Sequence, residues 1–181
     1  MKKSILKELG NQSIQDYSSS LQFCGDIDIR IARDGTWYYQ GSAIARKKIV
    51  QLFSRALKRD KNGSFWLETP AEKCRIRVDD APFVAVAMDV KGMGNDQSIT
   101  FITNLGERVS AGSCFPIRVE VNSETLEPAP YVLVRDRLEA LISRAVFYDL
   151  VELAVEIESE GQRVFGVWSN GFFFQLGALN E

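Results

Sequence analysis

Three sets of side chains in this chain could do chemistry, and the absence of histidine limits what that chemistry is. Asp79-Asp80, with Asp26 and Asp28 on an earlier stretch, offer carboxylates to a hard cation such as Mg or Ca. Glu68 and Glu72 flank Thr69-Pro70 and offer an acid/base pair. Trp37, Tyr38, Tyr39, Trp66 and Trp168, with Arg46, Arg75 or Arg77 close in the sequence pattern, offer an aromatic wall with a cationic anchor. With 0 histidines among 181 residues, serine-histidine and cysteine-histidine nucleophiles, histidine bases and histidine-ligated zinc all drop out.

Each set also has a plain structural role. Adjacent aspartates before Ala81-Pro82 form turns, and Glu68 and Glu72 flank a hairpin corner. The sequence therefore assigns no catalytic residues and leads to the expectation of no metal and no cofactor. Gly92-Met93-Gly94 has no Lys-Ser/Thr ending, which argues against a phosphate loop. Alternate residues of a strand face opposite sides, so Trp37 and Tyr39 cannot both be core if Tyr38 is. At least one aromatic face must meet a ligand or other protein surface, and Trp37, Tyr38, Arg46, Arg75 and Arg77 are the ligand-binding candidates.

The composition is that of a globular chain, 45% hydrophobic and 25% charged. A net charge of -2 creates no field that would draw it to nucleic acid or an anionic membrane. A local basic excess, Arg46, Lys47, Lys48, Arg55, Lys58 and Arg59, is nonetheless able to hold an anion. The first ten residues lack the apolar run of a secretory signal, and no stretch approaches a membrane span, so a soluble cytoplasmic protein is expected. Cys24, Cys74 and Cys114 fit no disulfide framework and are read as reduced, Cys74 as a small core residue alternating with Ile76 and Val78.

The elements that position these groups follow from periodicity. Residues 1–20 read as a mobile arm. Ile27, Ile29 and Ile31 alternate with Asp28 and Arg30 as in a half-buried strand, Asp34-Gly35 turns the chain, and Thr36 to Tyr39 returns. Ser42 is placed to cap a helix running to about Arg59. Strands follow at Ser64–Thr69, Lys73–Val78 and Phe83–Val90. Further strands lie at 98–103, 107–110, 115–121 and 131–134. Asp136 with Glu139 resembles a capping box for a second long helix ending at Gly161, and a hairpin around Asn170-Gly171 closes the chain. The acidic residues Asp149, Glu152, Glu156, Glu158 and Glu160 then fall on that helix, opposite in charge to the first. The elements repeat weakly, and Gly35-Thr36-Trp37 rhymes with Gly166-Val167-Trp168. The expected fold is α+β: two similar halves, residues 21–95 and 96–181, each a twisted, mainly antiparallel sheet with one long helix packed on it.

Several landmarks in one order carry a resemblance. Asp34-Gly35-Thr36-Trp37, Gly41-Ser42-Ala43-Ile44, Thr69-Pro70-Ala71-Glu72, Asp79-Asp80-Ala81-Pro82-Phe83-Val84, Thr103-Asn104 and Tyr131-Val132-Leu133-Val134-Arg135 resemble the bacterial family called domain of unknown function 1285. The resemblance implies two related α+β halves and a role in signal transduction, and it carries over no catalytic residues. The leading expectation is a non-enzymatic binding or sensing module for a small anionic ligand or a partner protein. A carboxylate- or metal-dependent enzyme is the rival, and a structural homodimer is the third alternative.

Overall fold

A computed structural model describes residues 22–123, 125–159 and 161–178, so the arm expected over residues 1–20 lies outside the described residues. The chain divides into two compact units, one ending at Asp80 and one beginning at Ala81.

In the first unit the alternating run forms β1 (Gln22–Ile31), with Ile29 and Ile31 buried. Gly35 takes φ 81°, a left-handed conformation free of Cβ strain only for glycine, and Asp34 Oδ1 accepts the Thr36 N–H at 2.9 Å. The chain returns as β2 (Trp37–Tyr39), pairing Arg30 with Tyr38 and Ile31 with Trp37. A short β3 (Ser42–Ala43), helix α1 (Lys47–Arg55), β4 (Leu57–Arg59), β5 (Phe65–Glu68) and β6 (Glu72–Val78) complete the unit. The sheet order is β3-β2-β1-β6-β5-β4, with β1 and β6 parallel at its centre.

The first helix is shorter than its periodicity predicts. Ser42 does not cap it; Ser42 and Ala43 pair instead with Tyr39 and Tyr38. Arg46 occupies the N-cap with no side-chain capping hydrogen bond. The helix stops at Arg55, and Leu57 joins a ladder opposite Leu67. Leu57 satisfies both a 3.6 and a 2.0 period, and the β4–β5 hairpin supplies the partner that decides between them. Val50 and Phe53 of α1 are buried, and Phe53 stacks on Trp37 with centroids 6.3 Å apart.

The second unit contains β7 (Phe83–Lys91), a 3₁₀ turn (Gly94–Asp96), β8 (Ser98–Thr103), β9 (Arg108–Ser110), β10 (Ile117–Val121), β11 (Pro128–Arg135) and β12 (Leu138–Ile142). Helix α2 (Arg144–Glu152) follows, then β13 (Val155–Ser159), β14 (Gln162–Ser169) and β15 (Phe172–Ala178). Six of its strands form a sheet in the order β10-β11-β12-β7-β8-β9, with β12 and β7 parallel, and β13-β14-β15 form a separate three-stranded sheet. Ser169 Oγ ties the two sheets by accepting the Ile99 N–H at 2.9 Å and donating to the Ala111 carbonyl at 2.8 Å. At Gly166 an added Cβ would lie 2.2 Å from the Phe174 carbonyl oxygen, so only glycine lets β14 and β15 approach there.

The second long helix is also corrected. Asp136 has φ 48° and sits in the turn joining β11 to β12, a conformation that cannot start a helix. Leu138, Ala140 and Ile142 are buried in strand alternation. The true cap is Ser143, whose Oγ accepts from the Val146 N–H at 3.5 Å. Glu156 and Glu158 lie on β13, so the acidic helix face reduces to Asp149 and Glu152.

The boundary falls between Asp80 and Ala81 rather than between 95 and 96, because β7 pairs with β12 and β8 of the second unit. The halves are similar in a specific way. Numbered within each unit, both six-stranded sheets run 3-2-1-6-5-4 with a parallel central pair. The similarity does not lie where the strings rhyme, since Trp37 is on the second strand of the first sheet and Trp168 is in the three-stranded sheet. Both helices among the described residues have nine residues, and the described chain is mostly sheet rather than evenly α+β. Among the described residues no helix is long and apolar enough to cross a membrane.

Candidate functional site

Adjacent positions on β2 send Trp37 and Tyr38 to opposite faces of the first sheet. Trp37 is core, 1% exposed against α1, and its Nε1 is buried with no hydrogen-bond partner among the described residues. Tyr38 lies on the outer face, where the Arg30 guanidinium sits 4.8 Å from its ring centroid. Arg77 pairs in register with Arg30, so Tyr38, Arg30 and Arg77 form one cross-strand row. Arg75 shares this face two residues away, opposite Trp66 on β5. The structure thus brings Tyr38, Arg75 and Arg77 together on one face. It separates them from Trp37, and from Arg46, which is exposed at the start of the helix packed on the other side.

A second row lies on the same face. Lys73 Nζ is 4.6 Å from the Trp66 ring centroid, and Phe23 meets that ring edge-on at 5.8 Å. Phe23 is 62% exposed, an unusual placement for phenylalanine. The Trp66 ring is held in place by its indole N–H, which donates to Asp60 Oδ2 at 2.9 Å. Asp60 Oδ1 in turn accepts the N–H groups of Asn62 and Ser64, each at 2.9 Å, so one carboxylate organises both the β4–β5 turn and the ring. The indole bond is the main reason the Asp60 carboxyl titrates below the ordinary 3.8.

The arginines already have carboxylate partners. Arg75 makes a two-pronged pair with Asp26 at 2.7 and 2.8 Å, which lowers the Asp26 pKa and raises that of Arg75. Asp79 takes Arg30 at 3.1 Å and Arg77 at 3.5 Å, and Asp80 takes Arg33 at 3.0 Å. Glu68 pairs with Lys73 at 3.7 Å. Of the carboxylates considered for chemistry, Asp26, Asp79, Asp80 and Glu68 are therefore paired with cations, Asp79 with two. Exposed pairs of this kind are worth about 0–1 kcal/mol, so a ligand can exchange for them.

Sequence alone does not pick out Phe23, Arg30 or Lys73 for this face. Phe23 precedes the alternation that marks β1, Arg30 reads only as the outward partner of Ile29 and Ile31, and Lys73 reads only as the start of its strand. Period-2 alternation identifies Arg30 as outward-facing but does not place it beside Tyr38. The cysteine reading is corrected as well: Cys24 and Cys74 are disulfide-bonded across β1 and β6, their Cα atoms 5.2 Å apart, while Cys114 is free. Cys74 is buried as expected. Parallel pairing across a separation of 50 residues brings the two together, and sequence spacing carries no trace of it.

Fold and face together define a mostly β protein of two units with similar sheets, the first carrying aromatic and cationic side chains on its outer sheet face. The chain belongs to the DUF1285 family: residues 20–81 match the domain of unknown function (DUF1285), N-terminal domain, and residues 82–176 the protein of unknown function (DUF1285), C-terminal domain. It is similar to the crystal structure of a DUF1285 family protein from Silicibacter pomeroyi DSS-3, with 52% identity and a TM-score of 0.81, covering 88% of this chain and 85% of that one. It also shares its fold with a DUF1285 family protein from Shewanella baltica OS155, with 23% identity and a TM-score of 0.55, covering 70% of this chain and 91% of that one. No curated protein matches the chain.

Proposed function

We propose that the protein is a non-enzymatic binding module that takes an anionic ligand on the outer face of its first sheet and serves in signalling. The observation that carries this reading is the pair of cation-aromatic rows, Arg30 over Tyr38 and Lys73 over Trp66, beside the exposed Phe23. Such a face offers apolar contact to a flat or extended group and positive charge to its anionic end. The pairing of Asp79, Asp80 and Glu68 with cations, Asp79 with two of them, favours binding over carboxylate catalysis.

A thermal-shift series with inorganic phosphate, nucleotides and small organic acids tests the reading. A ligand at a hundred times its Kd adds about 2.7 kcal/mol to stability, a rise of several degrees for a chain of this size. Trp66→Ala and Lys73→Glu should abolish that rise while Arg46→Asp leaves it intact. Equal responses in all three variants would place the ligand elsewhere and end the proposal.

A further inference from the structure

We propose that Cys24, Cys74 and Glu72 form a thiol-gated site for a soft divalent cation such as Zn²⁺, closed by the disulfide and formed by its reduction. This goes against the sequence-level expectation of no metal, and it rests on geometry independent of the aromatic face. The Sγ atoms of both cysteines and a Glu72 carboxylate oxygen all lie within 4.8 Å of one another. Two strands create the cluster: Glu72 and Cys74 are two residues apart on one side of β6, and parallel β1 sets Cys24 beside them. The Glu72 backbone is fixed in turn. Its N–H donates to Thr69 Oγ1 at 3.0 Å, and its carbonyl accepts from the Thr69 N–H at 2.8 Å.

The donor set suits zinc. Two thiolates and a carboxylate make three protein ligands in a tetrahedral sphere that water or a small ligand completes, and thiolate softness selects Zn²⁺ over Mg²⁺ or Ca²⁺. Cys74 is buried and Cys24 exposed, so reductant and cation both approach at Cys24. The chemistry balances. Two equivalents of a monothiol reductant of the glutathione class deliver two electrons and two protons, giving the Cys24 and Cys74 thiols and one reductant disulfide. Binding M²⁺ then releases both thiol protons and leaves the cation bound to two thiolates and one carboxylate.

Co²⁺ is the probe, because thiolate-to-cobalt charge transfer and tetrahedral d–d bands report the ligand set directly. The fully reduced protein should take one Co²⁺ per chain with both signatures, Zn²⁺ should displace it, and the oxidised protein should show neither. Cys24→Ser at the exposed position should lose most of the charge-transfer intensity. Glu72→Gln should weaken binding about tenfold or more, and Cys114→Ser should change nothing. A reduced protein without charge-transfer bands, or a Glu72→Gln variant that binds as tightly as the native protein, would overturn the proposal. So would loss of the signal on replacing Cys114.

Discussion

Single residues on the first sheet show how one face becomes core and the other becomes surface. Trp37 is buried against Phe53 while its neighbour Tyr38 lies under Arg30, so one step along the strand separates a core position from one on the outer face. Asp60 shows how a carboxylate positions an aromatic. Its pKa is depressed in the folded protein, chiefly by the Trp66 indole N–H, so its contribution to stability is present above the unfolded value and lost as pH falls through the folded one. Stability of the native protein should therefore drop more steeply below the ordinary carboxylate value of 3.8 than that of Asp60→Asn. Urea midpoints measured from about pH 5 down to about pH 2 check this, and parallel curves would mean that the bond contributes nothing.

At the scale of elements, helices α1 and α2 are matched in length and opposed in capping. Helix α2 has Ser143 accepting from Val146, whereas α1 begins at Arg46 with no side-chain cap and no acidic residue in its first turn. Arg46, Lys47 and Lys48 place positive charge where the helix dipole is already positive. Arg46→Asp supplies a cap acceptor and reverses that charge, and should raise stability by about 0.5–1 kcal/mol. Ser143→Ala should lower it by about 1 kcal/mol. Chemical denaturation of both variants should move in opposite directions; a loss from Arg46→Asp would show that Arg46 makes a stabilising contact of its own.

At the scale of the whole molecule, each six-stranded sheet is joined at its centre by a parallel pairing between the first and last of its six strands. The second unit also holds α2 and the three-stranded sheet tied through Ser169. A chain starting at Ala81 should therefore fold by itself, with a strand-rich circular dichroism spectrum and one cooperative urea transition. A non-cooperative or unfolded product would show that the division at Asp80 does not separate two cores. Folding of either unit should be slow relative to helical proteins of its size, because its central pairing joins distant segments.

What the sequence determined by itself is the local order. Alternation at Ile29, Ile31, Cys74 and Ile76 marks strands and their inner faces, Asp34-Gly35 marks the turn, and ordered landmarks mark the family. These signals lie within a few residues, where side-chain period and backbone sterics act. The helix ends, the unit boundary, the shared strand order and the meeting of Cys24 with Cys74 were decided by tertiary structure. Leu57 and Leu138 carry patterns that suit helix or strand; Leu57 pairs with Leu67 across the β4–β5 hairpin, and Leu138 opens β12, whose Ala140, Leu141 and Ile142 pair with the distant Phe83, Val84 and Ala85, so both are strand. The same holds for the candidate site: Tyr38, Arg75 and Arg77 are visible as outward residues of separate strands, and only the β2-β1-β6 register makes them one surface.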